Sequence, residues 1–117
     1  MSYRPGLHLI ATLHSAHATH LLRYEAFKNL LDALVVHHQL QALGHVYHNF
    51  TPAGFTAVVC LSESHLSIHT WPEHQKINLD IYLSNHERQN DGTVLALFEA
   101  VKTFFEATVV HQQNIVR

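Results

Sequence analysis

Apolar and polar residues first alternate along this chain with a period of two: Leu7, Leu9, Ala11 and Leu13 interleave with His8 and Thr12, as in a half-buried strand. From Thr19 to Leu43 the spacing lengthens. Tyr24, Phe27, Leu30, Leu31, Leu34 and Val35 recur at three and four positions, which predicts one long amphipathic helix with Gly44 as its stop. Period two returns in 45–50 and 55–61, and the intervening Thr51, Pro52, Ala53 and Gly54 supply a tight reversal, so a hairpin is predicted. Two further alternating stretches, 65–71 and 77–84, predict strands joined across 72–76. A polar stretch over 85–92 precedes a second helical stripe made of Val94, Leu97, Phe98, Val101, Phe104 and Phe105, and 108–111 adds a last short strand.

Strand, helix, four strands, helix and strand, with short connections, predict an α+β fold. The economical form is a two-layer sandwich: a mainly antiparallel sheet with two helices on one face, one domain over 1–117. Parity then sorts the side chains. Ile77, Leu79, Ile81 and Leu83 share the core face with Leu66 and Ile68, while Asn78, Asp80, Tyr82 and Ser84 share the opposite face with His65, Ser67, His69 and Trp71. A polar sheet face is ordinarily the solvated one, but a tryptophan and two histidines mark this one as a candidate for chemistry. Cys60, flanked by Val58, Val59 and Leu61, is expected in the core.

Charged residues make up only 14% of the 117 residues against 47% hydrophobic, so some apolar surface needs covering and a homodimer is expected. A net charge of -2 excludes the basic footprint of a nucleic-acid or anionic-membrane binder. No apolar run approaches the ~20 residues of a membrane span, and a lone cysteine without a signal-like N-terminus points to the cytoplasm. The 13 histidines raise the question of metal. His14, His17 and His20 repeat every third residue and His37 adjoins His38, yet no cysteine or carboxylate pattern completes a site. His65 and His69, four residues apart on one strand, stand ~13 Å from each other. No metal is expected.

The run Leu61-Ser62-Glu63-Ser64-His65-Leu66-Ser67-Ile68-His69-Thr70-Trp71-Pro72-Glu73 resembles the processing site of the small prokaryotic S-adenosylmethionine decarboxylases, with looser similarity outside it, including Gly6-Leu7-His8-Leu9. The resemblance implies self-cleavage between Glu63 and Ser64, leaving a pyruvoyl cofactor derived from Ser64. That carbonyl condenses with the substrate amine and acts as electron sink for the departing carbon dioxide. By the same resemblance His69 removes the α proton during processing and Thr56 assists it. Glu73 binds ribose hydroxyls, Phe50 and Trp71 stack on adenine, and Leu66 lines the substrate site. One position departs from the pattern: where the family carries a proton-donating cysteine, this chain has Ser84. A thiol of pKa ~8.5 is a far better acid near neutrality than an alcohol. Three functions stay open on these residues: decarboxylation of S-adenosylmethionine for spermidine synthesis, decarboxylation of another amino acid such as ornithine or arginine, or a non-catalytic, unprocessed paralogue.

Overall fold

The computed structural model describes residues 3–86 and 88–117. Strand β1 (Leu7–His14) leads into a short helix α1 (Thr19–Leu22) and helix α2 (Glu25–His37). Strands β2 (Ala42–Asn49), β3 (Phe55–Leu61) and β4 (Ser64–Trp71) follow, then a 3-10 turn (Pro72–His74), β5 (Lys76–Leu83), helix α3 (Asp91–Phe104) and β6 (Thr108–Val116). The strands form one six-stranded sheet in the order β2-β3-β4-β5-β1-β6. Every neighbouring pair is antiparallel. No helix among the described residues is long and apolar enough to cross a membrane.

Alternation places Leu9, Ala11 and Leu13 of β1, Phe55, Ala57, Val59 and Leu61 of β3, Leu66 and Ile68 of β4, and Ile77, Leu79, Ile81 and Leu83 of β5 on one side. The helices close over that side. Phe27 and Leu31 of α2 and Val94, Leu97, Phe98 and Val101 of α3 join the same buried cluster, the latter four at the three-and-four spacing of one helix face. Phe27 sits at the centre, its ring 5.7 Å from Phe55 and 5.8 Å from Phe105. Among the described residues, no helix lies on the opposite face of the sheet.

The single helix expected over Thr19 to Leu43 is in fact two. Arg23 takes an extended conformation between them, and the N–H of Tyr24 donates to Asn49 Oδ1 at 2.8 Å, so a side chain from β2 starts the second helix. Helix α2 ends at His37, well before Gly44, and Gln39 just beyond its cap takes a left-handed φ of 55° that turns the chain away, while Gly44 lies inside β2. The last strand runs to Val116, well beyond 111, because β1 offers it an edge along its whole length. Cys60 is exposed, since β3 turns its odd positions inward. Gly6 packs so tightly that a Cβ there would press into the carbonyl of Leu83, fixing the chain next to Ser84.

Candidate active site

The predicted residues gather in two places, at the two ends of β4. At its start, Ser62 and Glu63 form the two-residue turn of the β3–β4 hairpin, and Ser64 pairs with both Leu61 and Leu83. Ser64 has a φ of 142°, a region L residues rarely adopt. Directly before it, the Glu63 carbonyl accepts a hydrogen bond of 2.8 Å from the Ser84 N–H. Asn90 Nδ2 holds the Ser84 carbonyl at 2.8 Å, and Asn85 Oδ1 accepts from the Asn90 N–H at 2.6 Å, so the donor is itself fixed. The Glu63 carboxylate takes two hydrogen bonds from Arg88, at 3.1 and 2.9 Å, which hold its pKa below the usual carboxylate value against the opposing effect of burial. Gln41, Ser62, Glu63, Ser84 and His86 line a polar cleft of about 350 Å³ here.

At the other end of β4, His69 stands directly across from Thr56, and their side chains meet at 2.5 Å between Oγ1 and Nδ1. Phe50, Ala53, Phe55, His69, Thr70, Trp71 and Glu73 line a mostly apolar cleft of about 310 Å³. The floor is tied down by the buried Thr70, whose hydroxyl donates to Leu21 at 2.8 Å and accepts from the Phe55 N–H at 2.9 Å. Trp71 has its ring 6.1 Å from His69 and the Lys76 ammonium 5.1 Å from its centre, and Phe50 is 48% exposed at the mouth.

Phe50, Thr56, His69, Trp71 and Glu73 therefore assemble as one group, and Glu63, Ser64 and Ser84 as another. Five residues of extended chain, ~17 Å, separate Ser64 from His69. Leu66 joins neither group: its side chain is wholly enclosed on the helix-covered face, because even positions of β4 point to the core. Its assignment to the substrate site is corrected to a core role.

Sequence reasoning missed a third feature, on the uncovered face. His8, Tyr82 and His65 form a row across β1, β5 and β4, with Asp80 two residues along from Tyr82. Asp80 Oδ1 lies 2.6 Å from His8 Nε2 and 3.3 Å from His65 Nε2, and Arg117 approaches His8 Nδ1 at 3.1 Å. The ligand atoms of His8, His65 and Asp80 lie within 4.8 Å of one another, the shortest contact being the 2.6 Å hydrogen bond between His8 and Asp80. Parity along the chain put Asp80, Tyr82 and His65 on one face, but only the cross-strand register brings them against one another and against His8. The histidines every third residue disperse: His20 stacks on Phe104 at 4.3 Å and His17 faces Glu106 at 3.6 Å.

Known proteins resemble this chain in sequence and fold. The family described as S-adenosylmethionine decarboxylase matches residues 7–117. The S-adenosylmethionine decarboxylase proenzyme of Aquifex aeolicus is 43% identical over 77 residues, covering 66% of this chain and 57% of the relative, little more than half its length. The proenzyme of Thermoplasma volcanium is 32% identical over 112 residues, 96% of this chain and 83% of that one. The crystal structure of adenosylmethionine decarboxylase from Aquifex aeolicus superposes with a TM-score of 0.79 at 29% identity, over 99% of this chain and 91% of that one. With the match running from residue 7 to residue 117 and the same fold along its length, this chain belongs to the S-adenosylmethionine decarboxylase family.

Proposed function

We propose that this chain is a proenzyme that cuts its own Glu63–Ser64 bond, and that the product, carrying a pyruvoyl group made from Ser64, decarboxylates S-adenosylmethionine. The observation that carries the reading is the state of that one peptide: a φ of 142° at Ser64 beside a carbonyl held by the Ser84 N–H at 2.8 Å. A backbone in such a region stores on the order of 1–3 kcal/mol, and a donor on the carbonyl favours the oxyanion that forms when a hydroxyl attacks. Attack by Ser64 Oγ exchanges the amide for an ester and frees the Ser64 nitrogen. Removal of the Ser64 α proton then expels the new main-chain carboxylate at the end of the first fragment and leaves dehydroalanine, whose imine tautomer takes up water and loses ammonia to give the keto group.

The other end of β4 suits the substrate. Phe50 and Trp71 offer rings for an adenine, Glu73 offers a carboxylate for ribose hydroxyls, and His69, oriented by Thr56, is the base for the α proton. The pyruvoyl carbonyl supplies the electron sink for carbon dioxide loss. Ser84 contributes a hydroxyl where a thiol would protonate the product carbon faster, so turnover is slow.

Neither end is complete alone, since His69 stands ~17 Å from the Ser64 it must deprotonate. A homodimer in which the uncovered sheet faces of two copies meet about a two-fold axis sets each Ser64 end against the other copy's His69 end and makes two equal sites. It also covers Val58, exposed on that face. No covalent link or membrane is required, consistent with action in the cytoplasm. Mass spectrometry of purified protein tests the reading. Two fragments meeting at 63/64, the second reducible by borohydride, with carbon dioxide released from S-adenosylmethionine, are expected; an intact chain after prolonged incubation overturns it.

A further inference from the structure

Self-processing begins with a proton leaving the Ser64 hydroxyl, and the nearest base is in the same chain. Ser64 Oγ lies 3.2 Å from Nδ1 of His65. Neighbouring residues of a regular strand point to opposite faces, so this contact depends on the φ of 142° that breaks the alternation at Ser64. Behind the imidazole, His65 Nε2 reaches Asp80 Oδ1 at 3.3 Å, and the same oxygen is held by His8 Nε2 at 2.6 Å.

The proton positions along this chain of contacts follow from one donor. An arginine N–H only donates, so the 3.1 Å contact from Arg117 makes His8 Nδ1 an acceptor and places the His8 proton on Nε2, facing Asp80. Asp80 accepts from both imidazoles. His65 then carries its proton on Nε2 and presents the Nδ1 lone pair to the serine hydroxyl. The ring of Tyr82, 5.1 Å from that of His8 and 6.2 Å from that of His65, holds both in place.

We propose that His65 is the general base of the first processing step, with Asp80 as its orienting carboxylate and His8 and Arg117 as positioning residues behind it. The inference rests on self-processing at Ser64 and deepens it. Oγ gives its proton to His65 Nδ1 and bonds to the Glu63 carbonyl carbon, whose oxygen is held by the Ser84 N–H. As the bond from that carbon to the Ser64 nitrogen breaks, His65 returns the proton to the departing nitrogen, and the imidazole ends neutral as it began. His69 acts only afterwards, on the α proton. His65 and His69, four residues apart on β4, thus serve successive steps, His65 within its own chain and His69 toward the Ser64 of the other copy.

The two steps separate by chemistry, because hydroxylamine cleaves an ester and spares an amide. Time courses of intact mass, with and without hydroxylamine, are expected to show wild type cleaving and His69→Ala stalling as a hydroxylamine-sensitive ester at 63/64. His65→Ala is expected to stay an amide, slowed about a hundredfold and partly restored by free imidazole. Cleavage of His65→Ala at the wild-type rate, or its accumulation as ester, would overturn the inference while leaving self-processing intact. If circular dichroism shows His65→Ala unfolded, Asp80→Asn carries the test: about tenfold slower cleavage is expected, and an unchanged rate refutes the role. A wild-type chain that never cleaves removes self-processing and this inference together.

Discussion

Ser84 works through two different parts of itself. Its main-chain N–H holds the Glu63 carbonyl at 2.8 Å, a contact indifferent to the side chain, whereas in the proposed reaction its hydroxyl takes the place of a stronger acid. Ser84→Cys is therefore expected to raise the rate of carbon dioxide release about tenfold or more, measured on fully cleaved protein. Ser84→Pro removes the N–H, and cleavage followed by intact mass is expected to slow by about two orders of magnitude. Glu63 makes a pH prediction. Arg88 keeps its carboxyl below the ordinary 4.5, so the folded state takes up that proton less readily than the unfolded chain. The stabilisation is complete above that ordinary value and drains away as pH falls through the lowered one. Glu63→Gln is expected to flatten the acid side of a plot of denaturation midpoint against pH.

Strand parity was legible in the sequence because a period of two states which face is buried without reference to any partner; the odd positions of β5 from Ile77 to Leu83 are all enclosed as that period requires. The helix break at Arg23 was not, since it depends on Asn49, 26 positions on, capping Tyr24. Cys60 was misplaced by its apolar neighbours, although its own parity pointed outward. For Asp80, His8 and His65, parity gave the shared face of Asp80 and His65 but not their contact, because register, set by tertiary pairing, creates it. Two element-level outcomes follow. Gln39→Gly relieves the left-handed φ of 55° at the end of α2 and is expected to add about 0.5–1 kcal/mol by denaturant melts. Leu66→Ala empties a fully enclosed site between β4 and the helices and is expected to cost about 2–5 kcal/mol in the same assay.

At the scale of the whole molecule, the two half-sites proposed at opposite ends of β4 make a pairing experiment decisive. Ser64→Ala keeps the His69 end and His69→Ala keeps the Ser64 end. Co-expressed, half of the dimers are mixed and each mixed dimer rebuilds one complete site, so about a quarter of wild-type activity is expected. No recovery would place both ends of the site within one copy.

The sheet order β2-β3-β4-β5-β1-β6 also governs what scission at 63/64 does to the fold. The first fragment owns β1, β2 and β3 and the second β4, β5 and β6, so β1 is clasped on both sides by strands of the other piece and β3 lies along β4. The halves are interlaced, and the body stays closed when its backbone is severed. What disappears is the route back: a denatured, processed protomer must find its missing piece by collision, so its recovery on renaturation falls with dilution, whereas an unprocessed Ser64→Ala chain refolds its protomer alone. The proposed maturation would thus turn a foldable polymer into a kinetically locked assembly, made once and not remade.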